Sequence, residues 1–66
     1  MRILVNGTWH EQREAISVAD LLAALSLEPR RVAVERNKQL VRRADFAATK
    51  LADQDVLEIV TLVGGG

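Results

Sequence analysis

The placing of apolar and polar positions along this 66-residue chain predicts five strands and one helix. Residues 1–5, Met-Arg-Ile-Leu-Val, are mostly apolar and run into Asn6-Gly7, a pair that suits a two-residue type I′ turn because both residues tolerate positive φ. Residues 8–16 then read as the returning strand of a hairpin, with Trp9 and Ile16 apolar and Glu11, Arg13 and Glu14 polar. Ser17-Val18-Ala19-Asp20 fits the Ser-x-x-acid capping pattern, in which the hydroxyl accepts a backbone N–H and the acid reaches back. Val18, Leu21, Leu22 and Leu25 recur at helical spacing, one apolar stripe on a helix of about two and a half turns. Leu27-Glu28-Pro29 is expected to end it, since proline disfavours helical backbone at the residue before it.

Val32-Ala33-Val34-Glu35 reads as the third strand, and Leu40-Val41 as a short fourth one after the Asn37-Lys38 turn. Asp45 to Ala48 suits a short helical turn whose Phe46 plugs one end of the core. After an Asp53-Gln54-Asp55 turn, Leu57 to Val63 is the strongest strand in the chain, and Gly64-Gly65-Gly66 ends it. The order β-β-α-β-β-β is an α+β pattern, with a mixed sheet covered on one face by one helix. It suits a β-grasp, with the first and last strands side by side at the centre. Residues 1–66 are expected to form one such domain, with 64–66 a flexible glycine tail.

Composition narrows what this domain does. Apolar residues are 48% of the chain, but nine of the thirty-two are alanines, and the aromatic residues are one Trp and one Phe. That supplies one thin core and no enclosed pocket lined by catalytic groups. With no cysteine and one histidine, neither disulfides nor a zinc site is expected, and no cofactor is expected to be bound. Nine basic and nine acidic residues cancel, which argues against a general polyanion binder. Six of the nine basic residues (Arg30, Arg31, Arg36, Lys38, Arg42, Arg43) fall within fourteen positions, but no aromatic is interleaved to stack bases. A solvated, aggregation-deterring sheet edge explains them better than nucleic acid does. No apolar run approaches the roughly 20 residues of a membrane helix, and Met1-Arg2 lacks the apolar stretch of a signal peptide. The cytoplasm is the expected location.

The tail is the feature that folding alone does not account for. Glycine costs conformational entropy and buries no side chain. Placed directly after a strand, three glycines reach about 10 Å with no Cβ, so they pass through a slot that admits only backbone. What they deliver is the Gly66 carboxylate.

Here the chain resembles a known family. Ile3-Leu4-Val5-Asn6-Gly7, Ser17-Val18-Ala19-Asp20-Leu21-Leu22, Val32-Ala33-Val34-Glu35-Arg36-Asn37, Leu40-Val41-Arg42-Arg43 and the final Glu58-Ile59-Val60-Thr61-Leu62-Val63-Gly64-Gly65-Gly66 are similar to the bacterial ThiS sulfur carriers. The likeness runs over nearly the whole chain, and its most specific part is the last. It departs from the family pattern at Lys38, where glycine often follows the asparagine, and at Arg42, where proline is common. Phe46 replaces a frequent tryptophan, and Gln54 stands inside what is typically Asp-Gly-Asp. The resemblance implies a ubiquitin-like co-substrate, not an enzyme. Gly66 would be adenylated by an ATP-using adenylyltransferase of the ThiF type and converted to a thiocarboxylate. A thiazole synthase of the ThiG type would then take the sulfur for thiamine. A carrier for another product such as molybdopterin, a ubiquitin-like protein modifier, and a passive interaction module are the competing readings.

Alternation assigns the faces. If Glu58 faces water, Val60 and Leu62 share its side, while Leu57, Ile59 and Thr61 point the other way with Ile3 and Val5, towards Leu21, Leu22 and Leu25. Leu4, Val60 and Leu62 are then expected to form one apolar patch on the helix-free face, docking partners beside Gly64 and Gly65, which thread the tail.

Overall fold

The computed structural model describes residues 1–62; Val63 and the glycines at 64–66, with the expected tail, lie outside the described residues. The chain forms strand β1 (Arg2–Val5), strand β2 (Thr8–Glu11), helix α1 (Val18–Ala24), a 3₁₀ turn (Pro29–Arg31), strand β3 (Val32–Arg36), strand β4 (Gln39–Val41), a second 3₁₀ turn (Arg43–Asp45) and strand β5 (Val56–Thr61). The five strands make one sheet in the order β2-β1-β5-β3-β4, with β1 and β5 parallel and the other neighbours antiparallel. This is the mixed sheet and single helix of a β-grasp, with the first and last strands adjacent at its centre.

The hairpin forms where expected. Asn6 and Gly7 both take positive φ, 49° and 83°, the left-handed pair that matches the twist of the flanking strands. β2, however, stops at Glu11, not at Ile16. The two-residue turn fixes the register as Val5 opposite Thr8 and Arg2 opposite Glu11, so β1 has run out by Gln12. Met1 and Gln12 close the ladder, with the Gln12 N–H donating to the Met1 carbonyl at 2.8 Å. Residues 13–16 therefore leave the sheet. Ser17 pairs instead with Lys50, and the Leu51 N–H donates to the Ile16 carbonyl at 2.8 Å.

α1 is capped as its sequence indicates: the Asp20 N–H donates to Ser17 Oγ and the Ser17 N–H to Asp20 Oδ2, both at 3.0 Å. Its end differs. The helix stops at Leu25, four residues before Pro29, because Ser26 turns left-handed at φ 58°. The Ser26 N–H donates to Ala23 (3.0 Å) and the Leu27 N–H to Leu22 (2.9 Å), which satisfies the last carbonyls in a Schellman motif built without glycine. Pro29 opens the following 3₁₀ turn.

The other expected helical turn begins two residues early, at Arg43, because the Asp45 N–H bonds back to Arg42 and the Phe46 N–H to Arg43. Phe46 still plugs the core. α1 lays Val18, Leu21 and Leu22 on one face of the sheet, against Ile3, Val5, Val32, Val34, Leu57 and Ile59, with Phe46 and Leu51 closing the ends. Leu25 packs at the margin of this core. The facing assigned to β5 holds for Leu57 and Ile59, which are buried, and for Glu58, Val60 and Leu62, which are exposed; Thr61, expected on the core side, is exposed as well, at the end of the strand.

Candidate functional site

The glycines follow β5 in sequence, so what surrounds that strand defines the candidate site. On its β3 side the pairing runs from Leu57 opposite Arg36 to Thr61 opposite Val32. One further bond, from the Leu62 N–H to the Arg31 carbonyl at 2.7 Å, holds the strand to the edge of the described residues. On its β1 side the backbone pairing ends at Val5 opposite Leu57. Beyond that level the Asn6 side chain takes over, its Nδ2 donating to the Ile59 carbonyl at 3.0 Å and its Oδ1 accepting the Ile59 N–H at 2.8 Å. Asn6-Gly7 was read from sequence as a turn and nothing more, so this second use of Asn6 was missed.

Val60 (58% exposed) and Leu62 (43%) stand on the helix-free face close to where the chain leaves the sheet. Leu4 lies on the same face but not beside them. Because β1 runs parallel to β5 and ends early, the register puts Leu4 next to Val56, at the start of β5, with Trp9 of β2 on its other side. Val56 and Val60 are four residues apart, about 13 Å along a strand, and Glu58 sits between them. The single patch expected of Leu4, Val60 and Leu62 is therefore two. One is Trp9, Leu4 and Val56, with the Arg2 guanidinium stacked 4.0 Å from the Trp9 ring centroid. The other is Val60 and Leu62, with Ala33 opposite Val60 on β3. The second is the one next to the tail.

The opposite end of β5 is fastened by a polar anchor. Asp55, just before the strand, is buried, and its carboxylate accepts from Arg36 Nε (2.8 Å), Asn37 Nδ2 (3.0 Å) and the Ala52 N–H (2.8 Å). Burial pushes its pKa up, but the hydrogen bonds from Ala52, Asn37 and Arg36 outweigh it and hold the carboxyl below its ordinary value. Asp53 is lowered too, chiefly by the Arg2 N–H that donates to its Oδ1 at 2.7 Å.

These acids are structural. Among the described residues no group of three or more His, Asp or Glu is placed to hold a metal ion, and the Asp53–Asp55 turn spends Asp55 on its protein partners. Of the six clustered basic residues, Arg36 is taken up by Asp55. An open groove of about 450 Å³ lined by Arg36, Asn37, Gln39, Leu40, Val41 and Thr49 lies by the β3–β4 turn. Asn37 bonds there to Val56, so the groove is at the far end of β5 from the tail. No helix among the described residues is long and apolar enough to cross a membrane.

Comparison with known proteins accords with this geometry. The model of the ThiS family matches residues 3–66. The sulfur carrier protein ThiS of Bacillus subtilis is 42% identical over 55 residues, which are 83% of each chain. A thiazole synthase of Magnetococcus marinus is 39% identical over all 66 residues, but the chain spans only 20% of that protein's length, and the same share of a second thiazole synthase, from Paramagnetospirillum magneticum. The crystal structure of the thiamine biosynthesis protein ThiS from Geobacter metallireducens superposes over the full length of both chains, with a TM-score of 0.85 at 35% identity.

Proposed function

This chain belongs to the ThiS family, and from that premise we propose that it is a sulfur carrier of thiamine biosynthesis whose Gly66 carboxylate holds the sulfur. The observation that carries the proposal is the family match running through the glycines, joined to the exposure of Val60 and Leu62 just before them in sequence.

The chemistry asks little of the carrier. A carboxylate is a poor electrophile, because its charge repels a nucleophile and oxide does not leave. Attack of one Gly66 oxygen on the α-phosphorus of ATP expels pyrophosphate and gives a mixed anhydride. Hydrosulfide supplied by a partner then adds to the carbonyl carbon and AMP departs, which leaves the terminal thiocarboxylate. The carrier supplies a reachable terminus and no catalytic side chain, which is consistent with a sequence free of cysteine. Its role is that of a co-substrate, with ATP bound by the activating partner. Gly64 and Gly65 carry the carboxylate through a narrow channel, and Val60 and Leu62 seat the adenylating enzyme.

The second partner is a thiazole synthase. Support comes from thiazole synthases that themselves contain a stretch resembling this whole chain. Incubation with the adenylating enzyme, ATP and a sulfur source should convert the C-terminal peptide to a form with sulfur in place of one oxygen, read by mass spectrometry. Recovery of Gly66–lysine conjugates and no thiocarboxylate would make the protein a modifier instead.

A further inference from the structure

β5 is gripped from both sides only as far as the Asn6 side chain reaches. Alternation along β5 turns the backbone groups of Leu57 and Ile59 towards β1, and the Asn6 N–H bonds the Leu57 carbonyl at 3.0 Å. β1 has no further residue for Ile59, because Asn6 and Gly7 turn the chain back into β2. A carboxamide carries the same donor and acceptor as a peptide group, so the Asn6 side chain makes the rung that the backbone cannot. Both halves of that rung are present, at 3.0 and 2.8 Å, between residues 53 apart in sequence. No isosteric side chain does this: aspartate keeps the acceptor but sets a negative charge against the Ile59 carbonyl. The backbone also suits asparagine, which among non-glycine residues is one of the most tolerant of φ near 49°.

We propose that Asn6 is a positioning residue for the reactive terminus: by clasping Ile59 it fixes the line along which β5 delivers residues 60–66. Without the clasp, β5 beyond Leu57 is fastened along β3 alone, and its end can tilt out of the sheet on the side that Asn6 no longer holds. The four residues beyond the last β3 bond, at Leu62, span about 13 Å when drawn straight by a partner, so a tilt of about 15° displaces the end by about 3.5 Å. Reaction requires the attacking and attacked atoms to be held at roughly 3–3.5 Å, so such a displacement slows the chemical step without weakening the docking that precedes it. The inference rests on the carrier reading for its catalytic consequence, but the clasp itself does not.

Asn6→Gly keeps the turn conformation and removes the clasp, and Asn6→Ala removes both of its bonds while keeping a Cβ at that position. Amide hydrogen exchange, ¹⁵N relaxation and ATP–pyrophosphate exchange with the adenylating partner are to be measured on both variants and the parent chain. The expected result is a loss of protection at the Ile59 amide of about tenfold with Val34 unchanged. Residues 60–62 should lose order, and kcat for exchange should fall about tenfold at unchanged KM. A variant that melts lower but keeps kcat per folded molecule overturns the inference, as does one whose Ile59 protection matches the parent's. If Asn6→Gly does not fold, Asn6→Ala decides by the same criteria. A parent chain that supports no exchange overturns the carrier reading instead, and the clasp is then judged on the Ile59 amide and the order of residues 60–62.

Discussion

Replacing Asp55 by alanine should be among the most damaging single changes outside the apolar core. The carboxylate is 8% exposed and holds three donors from three places: β3, the β3–β4 turn and the loop before β5. Hydrogen bonds to a charged group contribute about 1.5–3 kcal/mol each in favourable cases, and donors stranded in a buried site cost more than the bond was worth. Arg36 is a third exposed, so its share is discounted towards the value of a surface pair, and Asn37 turns to water. The Ala52 N–H and the Arg36 Nε–H then dominate, for a total of about 2–4 kcal/mol. For a domain of this size each kcal/mol lowers Tm by about 4–8 °C, so the variant should melt roughly 10–25 °C below the parent. A chain this short is stable by only about 3–10 kcal/mol, which makes the loss easy to see in a urea or thermal melt.

The pH dependence gives an independent check. A carboxyl whose folded pKa lies below its unfolded value stabilises the fold in full above the unfolded value, and that contribution is lost as pH falls through the folded one. Asp55 is shifted this way, so parent stability should drop below about pH 4. Asp20, lowered by its bonds to the Ser17 N–H and hydroxyl, and Asp53 act in the same direction. Asp55→Asn should therefore flatten the acid limb without abolishing it. A Tm for Asp55→Ala within about 3 °C of the parent, or an acid limb for Asp55→Asn parallel to the parent's, would refute the anchor.

Ser26→Gly, Lys38→Gly and Gln54→Gly should each stabilise by about 0.5–1 kcal/mol in urea melts, because these residues sit at φ 58°, 69° and 72°, where a Cβ is strained. Val60→Asp or Leu62→Asp should leave the circular dichroism spectrum unchanged and weaken titrated binding to the adenylating enzyme by about 1–3 kcal/mol. Deleting Gly66 should leave Tm within error but abolish ATP–pyrophosphate exchange, since the carboxylate retreats by about 3.5 Å; full exchange would show that the partner ignores tail length.

What sequence disclosed depended on whether the signal was local. Asn6-Gly7 and Ser17-Val18-Ala19-Asp20 announce their geometry because the residues that need the unusual backbone or make the capping bonds are adjacent. β5 betrays its faces because Glu58 breaks an apolar run at a fixed phase. The end of β2 was also within reach: a two-residue turn after Val5 makes Gln12 the last possible partner of Met1, so no strand could extend to Ile16. The helix end was hidden because a serine, not a glycine, takes the left-handed position, and Pro29 was the more visible stop. Lys38 and Gln54 also take left-handed backbone without glycine, but there the neighbouring Asn37, Asp53 and Asp55 marked the turns in the sequence. The break in the apolar patch and the Asn6 clasp depend on the parallel register of β1 with β5, a pairing of residues more than fifty apart that no local pattern encodes.

The placing of β5 explains why the candidate site is where it is. One short helix covers one face of a five-stranded sheet, and a chain of this size has too little surface to bury the other. Val60 and Leu62 are exposed for that reason before any partner is considered. Yet the strand that leads to them is paired with β1 at its start and with β3 along its length, anchored just before its first residue by Asp55 and clasped at Ile59 by Asn6. Lying between β1 and β3, it joins the two halves of the sheet, which cannot close without it. Attachment of the glycines to this strand couples their presentation to completion of the fold: a molecule that lacks a formed β5 core face, Leu57 and Ile59, has no ordered Val60 and Leu62 to offer either. If the bare face seats a partner, as proposed, that partner meets Val60 and Leu62 only in a molecule whose β5 has formed.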